Sequence, residues 1–415
     1  MRILWISFLG SWTLPLLNAL SSSKKEDQYG LLIPTTQKNE YKHLQLNNNC
    51  KYYTVYLTTK ELYSNMEMSV FDKYKTYIKQ FSPDIIHIHG TEKNLAQIQN
   101  FIQDIPVVIS IQGIMQGYKK FSFNYLLPNE EKKYKTLKNY LGRGGINQQY
   151  KLFCQSKFYE KNIFKNGIFF IGRTEWDKAQ VIFRNKQAKY FHGEELLRPE
   201  FYFRKKTWAP QNCEPYTIFM PSGFNPIKGL HIALEAITLL KERYPTIKLY
   251  VPGIPQHIIK KNKLSSYILG EQYINIIKEK IRKNNLTQNI KLLPRLSASE
   301  MINYMQKSQV FLSPTSIDNS PNTIGEAMMI GIPIVTTAVG GILSFLKDKE
   351  TCLLAPAGDE YVIAYKIMQL FEDQELSQKL SNNAYLVALQ RHNIETTILQ
   401  YREIYLQCIN TFKKK

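Results

Sequence analysis

Cysteine is scarce in this chain and scattered. Its 415 residues hold five thiols, Cys50, Cys154, Cys213, Cys352 and Cys408. None forms a C-x-x-C pair, which argues against a disulfide framework or a cysteine zinc site and fits a reducing cytosol. Acidic side chains are also short: 34 Asp and Glu stand against 54 Lys and Arg, a net charge of +20. That excess favours anionic partners such as nucleic acid, lipid headgroups or phosphorylated small molecules. Long apolar runs are missing, none approaching the ~18 residues of a spanning helix. The first twenty residues superficially resemble a signal peptide, but Gly10, Ser11 and Pro15 interrupt them and no small-x-small cleavage pattern follows. They read as a buried first strand ending in a glycine turn, and the protein as soluble or peripheral. H-E-x-x-H, G-x-S-x-G and G-x-x-x-x-G-K-[ST] are all absent, which removes zincin, α/β-hydrolase and P-loop readings.

What is present is a globular composition, 44% hydrophobic and 21% charged, in a length that suggests two domains. Short apolar runs alternate with helical stretches, the pattern of an α/β fold with doubly wound parallel sheets. Strands are expected at Ile3–Phe8, Leu31–Pro34, Asp84–His89, Val107–Gln112 and Ile168–Gly172. A second set follows at Tyr216–Ser222, Lys248–Pro252, Ile290–Leu293, Val310–Ser313, Pro333–Thr336 and Cys352–Leu354. Helices fit at Lys228–Arg243, Glu271–Lys283, Ala298–Gln306 and Pro321–Ile330. The polar, proline-bearing stretch Phe203–Pro215 marks a linker. The expected division is therefore an N-terminal Rossmann-like domain at 1–205, a second at 206–395, and a C-terminal helix at 396–415 packing back on the first.

The most informative segment is Ser313–Gly341, SPTSIDNSPNTIGEAMMIGIPIVTTAVGG. Pro321 suits the first turn of a helix with Ser320 as its cap. The N–H groups of Asn322, Thr323 and Ile324 would then be open to a phosphate. Asp318 and Glu326 stand eight positions apart, two acceptor carboxylates converging on one hydroxyl-rich ligand from loop and helix. A capped surface helix with incidental acids fits the same residues. A second motif, PSGFNPIKG at Pro221–Gly229, places Gly223, Asn225 and Lys228 after a strand. Lys228 reaches a phosphate as a point charge, or is merely solvated. In the first half, DIIHIHGTE carries His87 and His89. They are read as alternating along the strand, so that only one faces the site; a strand histidine is also often structural. Arg173 and Glu175, in FIGRTEWDKA, stand at a strand exit or form a helix-surface ion pair.

These motifs resemble retaining glycosyltransferase family 4, whose fold is the two-domain GT-B architecture with domains facing across a cleft. The donor loop of that family is E-x7-E; its subgroup form E-N-S-P-N-S-x-G-E-A-M is close to D-N-S-P-N-T-I-G-E-A-M here. The resemblance runs through most of Ser82–Ala357 and fades over residues 10–80, where Gly10–Ser11 alone stands for the glycine-rich turn that contacts the donor. It implies that Asp318, shorter than the usual Glu, faces the donor sugar and Glu326 the ribose. The turn Asn319–Ser320–Pro321–Asn322–Thr323 would hold the diphosphate with Lys228. Where the family often has an Arg, this chain has Gly223, so Arg173 or Arg295 is expected to supply the second cation. His89, the histidine before a glycine, would line the active site, with His87 pointing away. No D-x-D occurs, so no metal and no cofactor is expected.

The implied reaction is transfer of a hexosyl group from a nucleotide diphosphate sugar to a carbohydrate or lipid-linked saccharide acceptor, with retention. The family's role in capsule, lipopolysaccharide or exopolysaccharide assembly is an analogy. Rival readings are a GT-B phosphorylase or sugar-nucleotide epimerase, and a basic nucleic-acid-binding protein on a degenerate scaffold; nucleic acid is not expected, since no RNA- or DNA-binding motif occurs. Residues 118–165 hold 11 basic and three acidic side chains with interleaved aromatics. Such a segment suits the cytoplasmic face of an anionic membrane, or is a solvated charged surface.

Overall fold

The computed structural model describes residues 1–10, 12–37, 41, 44, 46, 49–141, 144–254 and 271–414. Ser11 of the expected turn and Arg143 of the basic segment lie outside the described residues. The chain divides into two compact units. The first comprises Met1–Tyr118, Leu152–Leu197 and His392–Lys415; the second comprises Lys119–Lys151 and Arg198–Arg391. This differs from a division at 205. The boundary falls at Leu197/Arg198, and 33 residues from the middle of the first half belong to the second unit.

The first unit holds a seven-stranded parallel sheet. Its strands are β1 (Arg2–Ile6), β2 (Gln28–Thr35), β3 (Cys50–Tyr56), β4 (Ile85–His89), β5 (Val107–Ser110), β6 (Phe169–Gly172) and β7 (Lys189–His192), in the order β3-β2-β1-β4-β5-β6-β7. Pairing is in register from Ile3↔Tyr29 and Ile3↔Ile85 outward. The two strands not expected from the sequence, β3 and β7, are the two edges. An edge strand is wetted along one side and carries polar residues, so neither presents an unbroken apolar run.

Side chains alternate across this sheet. Leu4, Ile6, Leu32, Ile86 and Ile88 pack on one face with the helix Met68–Phe81. Ile3, Trp5, Leu31, Ile33 and Ile85 pack on the other, with Tyr401, Tyr405 and Cys408 of the last helix, Ile394–Lys413. Tyr405 ties that helix down: its hydroxyl meets Trp5 Nε1 at 3.1 Å and His87 Nδ1 at 2.8 Å, all buried.

The second unit repeats the design with six parallel strands, β8 (Thr217–Phe219), β9 (Lys248–Val251), β10 (Ile290–Leu292), β11 (Val310–Ser313), β12 (Ile334–Thr337) and β13 (Leu353–Ala355). Their order is β10-β9-β8-β11-β12-β13. One face buries Ile218, Leu249, Val251, Val310, Leu312 and Val335 under the helices Leu230–Lys241 and Glu360–Glu372. The segment Lys119–Lys151 joins this core through Leu126 and Ile146. Asn124 adds a polar tie, donating to the Pro226 carbonyl at 2.8 Å while its own carbonyl accepts from His231 Nε2 at 2.7 Å. In both sheets the strand order reverses beside the first strand of the unit, at β1/β4 and at β8/β11, and in such sheets ligands sit beyond the carboxyl ends of the strands at that reversal.

Candidate functional site

The loops leaving β8 and β11 carry the donor-type motifs, and the strand order makes them neighbours. After β8, Asn225 caps a single 3-10 turn, Pro226–Lys228, by accepting from Ile227 N–H at 3.0 Å. The chain then turns through Gly229 at φ +78°, where a Cβ would fall 2.0 Å from the Pro314 carbonyl oxygen. Only glycine tolerates both demands. Lys228 therefore ends a turn, and the long helix starts at Leu230. From here its Nζ reaches Asp318 Oδ2 at 2.5 Å. Asp318 is fixed in turn by its backbone, whose carbonyl accepts from Gly341 N–H at 2.9 Å.

The helix after the loop runs Asn322–Ile330 and ends at Gly331 in a left-handed conformation. Ser320 does not cap it. Pro321 stands at the cap position without a side-chain bond, and Ser320 Oγ accepts from Arg391 Nη2 at 2.7 Å. The Ile324 N–H is not open either, being bonded to the Pro321 carbonyl at 3.0 Å. Asn319 is fully buried, its N–H on Asp318 Oδ1 at 3.1 Å. Thr323 stands in the first turn.

Glu326 is buried, and both its oxygens are held by Arg198: Nε to Oε1 at 2.7 Å and Nη2 to Oε2 at 2.8 Å. Burial raises its proton affinity above that of an ordinary carboxyl, and the guanidinium opposes this. Sequence reasoning missed Arg198 because its partner lies 128 positions away. The helix face shared with Asn322 was readable from the four-residue spacing, but not what covered it.

The two candidates for the second cation behave differently. Arg173 is buried in the first unit, its Nη1 2.5 Å from Glu195 Oε2 and its Nη2 donating to Gln112 Oε1 at 3.2 Å. Burial works against its charge, and Glu195, Glu194 and Asp177 outweigh that. Its neighbour Glu175 makes an exposed helix-surface pair with Lys178 at 3.2 Å. Arg295 is exposed beyond β10, in the second unit. Gly223 shows why no arginine stands at its own position: a Cβ there would meet Val251 Cγ1 at 2.5 Å and Leu230 Cδ2 at 2.7 Å. Its smallness serves strand-to-helix packing. Gly10 similarly leaves room for the Trp12 ring.

In the first unit the histidine faces were expected wrongly. Positions 87 and 89 are two apart on β4, and a period of two puts them on the same side. The rings lie 3.9 Å apart, both on the Trp5 side. What separates them is bonding. His87 is engaged at both nitrogens, by Tyr405 OH and by Ser110 Oγ at 2.7 Å. His89, 6% exposed, has no partner for either nitrogen among the described residues. Burial, then the nearby Arg173, lowers its pKa to about 3, so the ring is neutral at physiological pH. Three residues on, burial raises the Glu92 carboxyl to about 7. Among the described residues no group of His, Cys, Asp or Glu is placed to hold a metal ion, and no helix is long and apolar enough to cross a membrane.

Comparison with known proteins fits this geometry. Residues 204–387 match the model of the family Glycosyl transferases group 1. The chain is 25% identical over 265 residues to the trehalose synthase of Pyrococcus horikoshii, covering 58% of this chain and 60% of that one. It is 25% identical over 158 residues to the capsular polysaccharide biosynthesis glycosyltransferase CapM of Staphylococcus aureus, covering 38% and 37%. It thus spans under two thirds of either relative's length. Anabaena HepE, solved in complex with UDP-glucose, superposes over 100% of both chains with a TM-score of 0.65 at 16% identity. The two sheets are those of the GT-B fold.

The depressed His89 pKa gives a stability test. The unfolded histidine, near pH ~6.5, takes its proton before the folded one, so the stability it contributes is complete above that pH and is lost as pH falls towards 3. Relative to wild type, His89→Asn should gain ~1.4 kcal/mol per pH unit below pH ~6.5. Denaturant unfolding of both proteins between pH 7 and 4.5 measures this; a difference that stays constant across that range contradicts a buried neutral His89.

Proposed function

We propose that this protein is a retaining, family 4-like glycosyltransferase that moves a hexosyl group from a nucleoside diphosphate sugar to a saccharide or lipid-linked saccharide acceptor. The observation that carries the reading is the Lys228–Asp318 pair beyond the carboxyl ends of β8 and β11. An incoming diphosphate competes with Asp318 for the ammonium. When it wins, Lys228 neutralises the leaving phosphate and Asp318 is released to accept from a hydroxyl of the transferred sugar. The Thr323 N–H and the positive end of its helix add to the same field. Glu326 accepts from the ribose. The UDP-glucose bound by Anabaena HepE supports a donor of this class.

Transfer breaks the bond from the anomeric carbon to the β-phosphate oxygen and forms one to the acceptor oxygen on the same face. The acceptor's proton passes to the departing phosphate, so no protein nucleophile is needed. His89, neutral and unpartnered, acts as a hydrogen-bonding group for a sugar hydroxyl rather than as a proton donor. The product belongs to surface polysaccharide assembly, in keeping with the Staphylococcus relative, a capsular polysaccharide biosynthesis glycosyltransferase.

Removing the ammonium should weaken donor binding by ~1.5–3 kcal/mol, the range for a charge-assisted bond. Calorimetry of Lys228→Ala with UDP-, GDP- and ADP-sugars checks this; unchanged affinity for the donor that wild type prefers would remove Lys228 from the site.

Lysine and helix N–H groups replace a metal in this reading, since the sequence has no D-x-D. Turnover should therefore survive excess EDTA. Loss on chelation that magnesium or manganese restores would contradict it.

The basic segment gives the acceptor a place. Lys120, Lys132 and Lys133 are exposed, and so are Tyr125, Leu127, Tyr140 and Leu141, each above 60%. Ammonium groups among exposed aromatic and aliphatic side chains suit an anionic headgroup layer, at roughly 1 kcal/mol per basic residue. The enzyme then works peripherally at the cytoplasmic face of the membrane, beside a lipid-linked acceptor. Flotation with anionic and neutral liposomes should recover wild type with the anionic ones alone. A variant with Lys119, Lys120, Lys132 and Lys133 changed to Glu should not float. Equal recovery with both lipids, or no loss in the variant, reduces the segment to ordinary surface charge.

A further inference from the structure

Glu326 is an unusual group to find inside a helix of a sheet-packed unit. Its side chain is 3% exposed, between Ile324 and Ala327–Ile330, all buried. A lone carboxylate there would take a proton. Arg198 opposes this from a fixed base. It precedes Pro199 at the start of the short helix Pro199–Phe203, with the extended backbone that a residue before proline prefers. Its guanidinium carbon lies 5.0 Å from the Phe201 ring centre, and Nη2 also contacts Met301 Sδ at 3.1 Å. The fork is thus packed on two sides before it meets the carboxylate.

We propose that Arg198 is the positioning residue for the donor's ribose: it fixes the Glu326 carboxylate in the one orientation that receives both ribose hydroxyls. This rests on the reading of Glu326 as the ribose ligand and adds the residue that makes it one. A carboxylate offers about four acceptor directions. The two parallel bonds from Nε and Nη2 occupy one on each oxygen. One on each oxygen is left, and a vicinal diol has two O–H groups to donate. The pairing also favours the ionised carboxylate against the burial that raises its proton affinity, and a protonated Glu326 would lose an acceptor. The charged groups acting on it are Arg198, which favours ionisation, and Glu200, which opposes it. A lysine keeps the charge but offers no fork.

The test compares binding of a nucleoside diphosphate with its 2′,3′-dideoxy analogue, using whichever of UDP, GDP or ADP wild type binds most tightly. Wild type should prefer the ribose form by about tenfold or more, two hydrogen bonds to a charged acceptor being at stake. In Arg198→Lys the preference should fall below about threefold while affinity for the dideoxy analogue stays close to wild type, because Arg198 acts through Glu326 alone. A merely structural role would weaken both ligands together. The paired change Arg198→Met with Glu326→Gln leaves no buried charge, and should match Glu326→Gln alone in both affinities. Full ribose preference in Arg198→Lys, or a further loss in the double variant, overturns the positioning role while leaving the donor reading intact. Wild type binding both forms equally removes Glu326 from the ribose, and the proposal with it. Failure to bind any of the three nucleotides overturns the donor reading itself.

Discussion

The reversal of strand order between β8 and β11 is the constraint on which the rest of the donor half depends. The two strands lie side by side and end at the same edge of the sheet, so the loops that leave them pack together, the Ser316 N–H donating to the Ile227 carbonyl at 2.9 Å. Residues 90 positions apart are thereby brought to 2.5 Å, Lys228 from one loop and Asp318 from the other. Gly229 makes this possible at its own position, because any side chain would strike Pro314 and push the lysine turn off the loop it faces.

Asp318, Glu326 and Ser320 of this loop and helix are each met by a cation of the same unit. Lys228 meets Asp318, Arg198 meets Glu326, and Arg391 meets Ser320 while lying 3.8 Å over the Phe345 ring. The three contacts differ in burial, and so in what a ligand does to them. Lys228 is 36% exposed and its pair is open to exchange. Glu326 is enclosed and its pair is not, since breaking a buried pair strands a charge in the interior. On the proposed donor reading, a diphosphate would exchange the first contact and leave the second in place. The basic segment Lys119–Lys151 lies in this unit as well, so much of the chain's positive excess accompanies the proposed donor-binding loops.

Much of this was legible in the sequence, and the misses have physical causes. Eleven strands, including both edges of the second sheet, announce themselves as short apolar runs, whereas β3 and β7, the wetted edges of the first sheet, do not. The loop DNSPNTIGEAM and the turn NPIKG were recognisable as a pair through their resemblance to one family, helped by a local sign, proline at a helix start. Long-range partners leave no such trace. Nothing in LLRPEFY announces that Arg198 meets Glu326, and nothing in the last helix announces that Tyr405 holds His87. Ser320 looked like a helix cap because its competitor, Arg391, is remote. The faces of His87 and His89 were legible but misjudged, since a two-residue spacing on a strand means one side. What distinguishes those histidines is their partners, which the fold alone supplies.

The central claim is that this donor loop serves glycosyl transfer to a saccharide, and the anomeric outcome tests it most directly. Purified protein, a panel of UDP-, GDP- and ADP-hexoses and a set of saccharide and lipid-linked acceptors would be followed by nucleoside diphosphate release and by proton NMR of the product's anomeric centre. Acceptor-dependent release from one nucleotide class, with the product's anomeric configuration the same as the donor's, is the predicted result. Release at the same rate without acceptor, conversion of the sugar nucleotide to its epimer, or transfer to inorganic phosphate would contradict it.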